Sequence, residues 1–596
     1  MQNRLQFELS AENAALLQRR ASFLQDLRLK NHLFWPFWRP CQVRILMVVD
    51  GLNFSEGNFG LSTFVHTLLD TPYRHVRFRI TLADIRSNVA LSGMMENDQR
   101  IARRIIGFKF DDPDHFAPDM YDEVMLFGIA QTMPSRGQAS NGQPYPTERL
   151  ADPELRAITQ HVNRGGGLFA TGDHGRLGRF LCHAVPRVRN MRLWDNTSTD
   201  NATNEVSMNG ERRNDTNRIG SSPGSQFDDE SDDTPQDIQP RMYRRRNGLF
   251  RFSFPHPLLC GPNGPIRVMP DHPHEGECIE PDNPNQSLNI NGQLGPEYPA
   301  AVDGGARPLP EIISTSTVLA GTTSGIKAPT LSQSFGGICA YNGHRAGIGR
   351  VVTDATWHHF VNVNLVGRTN YPANNPKSQG FLYSAQGQEH LQEIRTYFRN
   401  LAVWLAPPER IRCMNTGILW HLNWSDRVME AVMTTTHLRL RELHPSVLFQ
   451  IGRHARDVLG RYAGQCQSMR LIIDSIIAPV FPRLIPEIDP WISEPVRKPE
   501  DVDQISWFDG SALLDIALGG ALVAMREQMP EPDAKYTPDM ESEAVEKIAI
   551  DGGRFGFEQA VKLAQQALKS GASQLDLKTA KRRPSTKQKA PPKPKG

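Results

Sequence analysis

The chain has 596 residues, of which 39% are hydrophobic and 22% are charged. This composition is that of a folded globular protein, and the length predicts two to four domains. No run of about 18 apolar residues occurs, so we expect no membrane span. The seven scattered cysteines include no C-x-x-C pair, and the N-terminus has no signal-peptide pattern. We therefore expect reduced thiols and a cytoplasmic location.

The first part of the chain predicts a helical segment followed by strands. Residues 1–42 form the N-terminal helical segment, and strands are predicted at 43–51, 76–84 and 122–128. The first strand is continuously apolar before Asp50, which is typical of a strand buried on both faces of a sheet.

A helix and a strand are predicted on either side of Gly165. In residues 152–166, with the sequence DPELRAITQHVNRGG, Asp152 is a candidate N-cap, and Pro153 suits the first helical turn. Gly165 ends this helix. Residues 165–171, with the sequence GGGLFAT, then predict an interior strand.

Alternation of strands and helices predicts an α/β fold with a mostly parallel, doubly wound, flavodoxin-like sheet over residues 43–410. Within it, the polar stretch from about 186 to 246 predicts a mobile insertion. Strand patterns return between 248 and 357, and a helix at 387–405 precedes two prolines. Residues 411–570 predict a smaller, mainly helical domain.

The turn after residue 171, TGDHG, carries the first candidate catalytic residues. Gly172 and Gly175 permit a sharp turn, and ligands of α/β proteins bind where such a strand-to-helix turn meets the sheet edge. We interpret Asp173 and His174 as candidate catalytic residues and the two glycines as binding residues. The turn offers no Ser or Cys nucleophile. A capping Asp173 and a surface His174 are the alternative.

The segment MPDHPHEGEC, residues 269–278, is a candidate metal site. His272 and His274 alternate along the chain and could face one target together with Glu275. These side chains suit Zn²⁺ or another divalent ion, although a further ligand must come from elsewhere. A solvated polar loop is the alternative, and the identity of any cofactor stays open.

The loop after the first strand supplies two more candidate binding residues, Asp50 and Glu56. It lies at the same edge of the predicted sheet as the TGDHG turn. It lacks the Gly-x-Gly-x-x-Gly pattern of a dinucleotide site, so these carboxylates are assigned only to a general ligand site.

Residues 43–405 resemble the class I glutamine amidotransferase-like superfamily, and within it the ThuA-like (trehalose-utilisation) branch. Four stretches carry this resemblance: VRILMVVDG (43–51), GGGLFATGDHG (165–175), HPLLCG (256–261) and GRVVTDATWHH (349–359). The second stretch is similar to the amidotransferase Gly-x-Cys-x-Gly elbow, but Asp173 stands where the cysteine would be. The fourth is similar to a late strand ending in a histidine, which implies a catalytic role for His358.

The missing elbow cysteine predicts that the protein is not a glutaminase, since thioester chemistry needs a thiolate. The resemblance implies that Asp173 or His174, His358, and a residue of the His272–Glu275 segment line a common pocket. Because adjacent strand residues point to opposite faces, at most one of His358 and His359 is expected to face it.

Two functions stay open at this point. One is a hydrolase or isomerase that acts on a polar small molecule through a His/carboxylate site, with or without metal assistance. The other is a non-catalytic binding or scaffold protein that uses the helical domain and the tail, and a homo-oligomer is compatible with both.

Residues 571–596 predict a disordered basic tail suited to nucleic acid or an acidic surface, because eight Lys or Arg residues follow Asp576 without an acid.

Overall fold

A computed structural model describes residues 40–73, 75–173, 177–194, 236–247, 250–270, 276–288, 295–302, 304–318, 333–367, 372, 378–425, 428, 439–463, 465–482, 485, 489–492, 510–529 and 542–574. The predicted N-terminal helical segment lies outside these residues except for its last three, of which two begin the first strand. The predicted basic tail lies outside them beyond residue 574.

The strands are β1 (Cys41–Val49), β2 (Val76–Asp84), β3 (Arg103–Ile106), β4 (Glu123–Phe127), β5 (Gly167–Thr171), β6 (Gln236–Pro240), β7 (Met242–Asn247), β8 (Phe250–Pro255), β9 (Cys260–Gly261), β10 (Gly264–Pro265), β11 (Val268–Met269), β12 (Glu311–Val318), β13 (Gln333–Tyr341) and β14 (Val351–Asp354). Ten of them form one sheet in the order β11-β6-β12-β13-β14-β5-β4-β1-β2-β3. The six strands from β14 to β3 are mutually parallel. The other four extend the sheet in antiparallel pairs.

The α-helices are α1 (Ser62–Leu69), α2 (Asp152–Asn163), α3 (Arg179–Cys182), α4 (Asn362–Val366), α5 (Ala385–Leu405), α6 (Pro408–Asn423), α7 (Pro445–Ala463), α8 (Gln465–Ile472), α9 (Gly510–Gln528) and α10 (Ser542–Gln574). None of the described helices is both long and apolar enough to cross a membrane. The α/β class with a helical C-terminal region is therefore as predicted.

Helices cover both faces of the sheet. On β1, Ile45 and Met47 belong to the core that includes residues of α1 and α5, whereas Leu46 and Val48 belong to the core that includes residues of α2. Since successive strand residues face opposite sides, the fully buried part of β1, residues 45–49, must be apolar at every position. This explains the continuous apolar run in the sequence and makes the sheet doubly wound.

The ends of α2 differ from expectation at one position. Ala151, rather than Asp152, is the N-cap, and the Glu154 side chain accepts the Ala151 N–H at 2.9 Å. Asp152 instead accepts a 2.6 Å bond from Arg149. Gly165 follows the helix with a φ of +98°, a left-handed conformation that glycine adopts without steric cost.

The predicted mobile insertion is ordered at both of its ends. Residues 188–190 form a 3₁₀ turn, and β6 and β7 occupy residues 236–247, so the predicted bounds of the insertion are too wide. Residues 195–235 lie outside the described residues.

At the other end of the chain, α10 is a single 33-residue helix that runs past the expected end of the helical domain at 570.

Helix α9 is buried at the centre of the helical region, as its apolar sequence predicts. A Cβ on Gly519 would overlap the Leu448 carbonyl of α7, and one on Gly520 would overlap the Gly552 carbonyl of α10. These glycines therefore permit the backbones of three helices to approach closely. The buried Asp515 of α9 forms an ion pair with Arg456 of α7 at 2.8 Å.

A disulfide joins the two regions, since Cys41 at the start of β1 is bonded to Cys413 of α6. The expectation of reduced thiols is therefore wrong for this pair, and the cytoplasmic location inferred from it loses that support. Cys182, Cys260, Cys278 and Cys339 are buried and are not part of a disulfide. Two polar contacts reinforce the junction: Arg410 with Asp122 at 3.2 Å and the Trp491 indole with the Pro255 carbonyl at 2.8 Å.

Candidate functional site

The turn after β5 directs Asp173 into the protein. Gly172 cannot carry a side chain, because a Cβ there would press against the Leu177 carbonyl and Trp194. The Asp173 N–H donates to the Leu177 carbonyl at 3.2 Å and closes the turn. As a result, the Asp173 side chain is only 1% exposed at the carboxyl edge of the sheet. His174 and Gly175 lie outside the described residues.

The neighbouring strand β14 ends at the same edge and supplies the partners of Asp173. After Asp354 the chain leaves the strand and forms a 3₁₀ turn over Trp357–His359. Thr356 caps this turn by accepting the His358 N–H at 3.1 Å, and its hydroxyl donates to Asp173 Oδ1 at 2.9 Å. Thr356 thus ties the two strand ends together.

Asp173 and His358 are in direct contact, with 3.1 Å between Oδ2 and Nε2. On the other side of the ring, Nδ1 lies 3.1 Å from Oδ1 of Asn364. Each ring nitrogen of His358 therefore lies 3.1 Å from a side-chain oxygen. The result is a buried carboxylate–imidazole pair with the composition of an acid–base site.

His359 contacts a different carboxylate. Its Nδ1 lies 2.8 Å from Asp354 Oδ1, and the Tyr397 hydroxyl donates to Asp354 Oδ2 at 2.9 Å. Because both histidines belong to a helical turn rather than a strand, they do not alternate between faces as expected. Each is buried against its own acid.

The loop after β1 covers His358. The Phe59 ring, half exposed, meets Trp357 and His358 edge-on at centroid distances of 5.8 and 6.4 Å. Asn362 fixes this loop by donating to the Ser55 and Gly57 carbonyls at 3.0 and 2.8 Å. The loop is therefore built as a wall of the site.

The two predicted carboxylates of that loop region have different environments. Glu56 is exposed and lies 3.8 Å from His66. Asp50 is buried and accepts the Ile129 and Ala130 N–H groups through Oδ1, at 2.7 and 3.0 Å, whereas Oδ2 has no hydrogen-bond partner among the described residues. Burial raises the pKa of Asp50 to about 7.

Asp50 lies where the strand order reverses, between β1 and β4. From β1 the chain builds outward through β2 and β3, and it then returns to add β4 and β5 on the other side. Ligands of open α/β sheets bind at such a switch point. Asp50 is thus placed for ligand binding, two strands further along the edge than Asp173, with β4 between them.

No sequence motif indicates Arg192, although this residue supports the backbone of the site. It is 1% exposed and donates from Nη2 to the carbonyls of Asp173 and Ala355, at 2.7 Å each. Its position depends on long-range packing that no local pattern encodes. The same holds for Asn364, whereas Thr356 lies within the GRVVTDATWHH stretch and could have been found there.

The predicted metal ligands His272, His274 and Glu275 lie outside the described residues. Gly276, which follows them, packs so closely on Ala355 that an added Cβ would overlap the Ala355 carbonyl. The chain therefore reaches the site directly after the predicted metal segment. Within the described part of the chain, no group of three His, Cys, Asp or Glu side chains is arranged to hold a metal.

Among the described residues, Asp173 and not a cysteine occupies the turn after β5. Cys182 of α3 is fully buried, and desolvation raises the pKa of its thiol well above the usual value.

No protein-family model matches the chain, and comparisons with curated proteins and with solved structures find no match.

Proposed function

We propose that the protein is a glutamine amidotransferase-like α/β protein without the cysteine nucleophile, and that it acts as a hydrolase or isomerase on a polar small molecule. The observation that carries this proposal is the contact of 3.1 Å between Asp173 and His358. It joins two titratable side chains from adjacent strands at the edge where α/β enzymes bind their substrates. The ThuA-like sequence resemblance is the second support.

The pair suits proton transfer. In hydrolysis, the Asp173 carboxylate would take a proton from the attacking water while the His358 imidazolium gives one to the leaving atom. The Thr356 hydroxyl, 2.9 Å from Asp173 Oδ1, keeps the carboxylate oriented. Asn364 holds the imidazole from its other side. In isomerisation, the same two groups would remove and return one substrate proton.

Metal assistance is an extension of this proposal. His272, His274 and Glu275 offer imidazole and carboxylate donors of the kind that Zn²⁺ binds. Gly276 brings the end of that segment against Ala355. A divalent ion bound there would supply a Lewis acid near the pair.

A non-catalytic binding or scaffold protein is the second candidate function. One observation favours it: both ring nitrogens of His358 already contact protein oxygens, which is also the pattern of a structural histidine. On this view the helical domain and the basic tail bind partners, with nucleic acid, an acidic surface or a second copy as candidates.

The deciding experiment measures turnover of esters, lactones, amides and phosphoesters by the full chain, with elemental analysis for bound metal. Asp173→Asn and His358→Gln should each lower kcat by about 10²–10⁴-fold on any substrate found. The matched control is His444→Gln at the exposed residue before α7, whose ring contacts the Ser446 hydroxyl, and it should leave kcat unchanged. No turnover across the panel, or equal losses in all three variants, would favour the scaffold function.

A further inference from the structure

A second cleft lies at the opposite edge of the sheet, between the α/β domain and the helical region. Its cavity of about 70 Å³ is partly open to solvent and is bordered by residues of α5, α6, α7 and α8. Arg350 lines it and directly precedes β14, whereas Asp354 is the last residue of that strand and His358 follows it. The cleft is therefore separate from the site around Asp173.

Arg350 enters this cleft without a charged partner. It is 4% exposed, and it donates from Nε to Oδ1 of Asn342 at 3.0 Å and from Nη1 to the Trp404 carbonyl at 2.8 Å. Its guanidinium also stacks over the Trp404 ring at 4.6 Å. Among the described residues, no carboxylate forms an ion pair with Arg350, and Nη2 has no hydrogen-bond acceptor.

Arg470, in the same cleft, shows how a buried guanidinium is normally neutralised. It forms ion pairs of 2.8 Å with both Asp474 and Asp489. Arg350 has only neutral acceptors, although an unpaired buried charge is costly. Burial and the positive charge of Arg470 lower the pKa of Arg350 to about 9, so it is still cationic at neutral pH.

The remaining walls of the cleft determine what could neutralise Arg350. They are largely apolar, with Val403, Ile411, Ile418, Leu459 and Leu471 among the lining residues. Such a pocket buries an apolar body and orients it with a few polar groups. Asp474 also lines the cleft and would repel a second negative charge on the ligand.

We propose that this cleft binds a small monocarboxylate with an apolar body, whose carboxylate accepts hydrogen bonds from the Nη2 edge of Arg350. A planar carboxylate matches the donor geometry of a guanidinium. Asp474 and Asp489 raise the pKa of Arg350 without forming an ion pair with it. A single negative charge would supply that ion pair, and the apolar body covers Val403 and its neighbours. The stacked Trp404 indole blocks one face of Arg350 and directs the carboxylate to the edge.

Calorimetric titration of the full chain with 3-methylbutanoate, and with its neutral analogue 3-methylbutanamide, tests this proposal. We expect the acid to bind at least 10-fold more tightly than the amide, and Arg350→Met to abolish that difference. Arg345→Met is the matched control, because this arginine instead donates to the Ala306 carbonyl at the surface, and it should retain the preference. Inorganic phosphate alone should bind more weakly than the acid.

A second variant keeps the test valid if Arg350→Met does not fold. Val403→Trp leaves Arg350 in place and fills the cleft from α5, so it should abolish binding of both compounds. Equal affinities for acid and amide, no saturable binding of the acid, tighter binding of phosphate, or unchanged binding by Val403→Trp would each overturn the proposal.

Discussion

His358 and His359 are consecutive residues that contact carboxylates from two different strand ends, Asp173 at 3.1 Å and Asp354 at 2.8 Å. The 3₁₀ turn capped by Thr356 makes this possible, because it directs adjacent side chains away from the alternation of a strand. The turn therefore determines which of the two histidines contacts Asp173.

The first prediction concerns Thr356, whose hydroxyl both caps that turn and binds Asp173. Thr356→Val removes both hydrogen bonds at a fully buried position and should lower the free energy of unfolding by about 1–3 kcal/mol. Thr356→Ser keeps the hydroxyl and should lose less than half as much. Urea unfolding monitored by tryptophan fluorescence measures both, and equal losses would show that the methyl group matters rather than the hydroxyl.

The second prediction is a pH dependence of stability caused by Asp50. Because burial raises its pKa to about 7, the folded state keeps a proton that the unfolded chain releases near its ordinary pKa of about 4. This contribution to stability is complete below about pH 4 and is lost as the pH rises towards 7. The buried histidines His75 and His161, whose pKa values desolvation lowers to about 3 and about 4, act in the opposite direction.

Asp50→Asn isolates the Asp50 contribution, since the amide oxygen can still accept the Ile129 and Ala130 N–H groups. The stability of the variant relative to the native protein should increase between pH 4 and pH 7, by up to about 4 kcal/mol. Urea unfolding at half-unit pH steps measures this difference. A difference that is constant with pH would mean that Asp50 is ionised in the folded protein.

The third prediction concerns Glu123 of β4, which is fully buried and has no hydrogen-bond partner for either carboxylate oxygen among the described residues. Burial raises its pKa well above the usual value, so the folded state has to hold it uncharged. Glu123→Met fills a similar volume without this cost and should stabilise the protein by about 1–3 kcal/mol at pH 7.

The gain from Glu123→Met should shrink towards pH 4, where the unfolded chain also protonates Glu123. Glu123→Gln serves as the control that retains a polar group, and it should stabilise less than Met does. Destabilisation by Glu123→Met in thermal unfolding would indicate that the carboxyl group has a partner in the folded protein.

The sequence predicts the α/β scaffold well where both faces of an element are buried. Strand β2 occupies residues 76–84 as expected, and helix α2 occupies residues 152–163 within the stretch predicted to end at Gly165. Apolar periodicity and a terminal glycine specify these elements locally. Strand β3 is missed, since its sequence RRII is short and half charged and pairs only at the edge of the sheet. Its formation depends on β2, which no local pattern reveals.

The candidate site is predictable only in part, for a similar reason. Asp173 and His358 stand out because each follows an apolar strand, and parallel strand ends share an edge. Arg192 comes from the segment after α3, and Asn364 comes from the short helix α4. Packing determines how both approach the site, so sequence spacing gives no indication of them. The pairing of Cys41 with Cys413 spans 372 residues and requires the contact between β1 and α6 to be known.

The last prediction concerns that disulfide. It closes a loop of most of the chain, so it strongly restricts the unfolded state, and a stabilisation of about 2–4 kcal/mol is typical for such cross-links. Reduction with dithiothreitol should therefore lower the urea midpoint of the native protein. The double variant Cys41→Ala/Cys413→Ala should have the lower midpoint without reductant and should not respond to it. Cys182→Ala, which removes a buried free thiol, is the control and should keep the response to reductant. A native protein insensitive to dithiothreitol, with the double variant equally stable, would mean that the two cysteines are unpaired in solution.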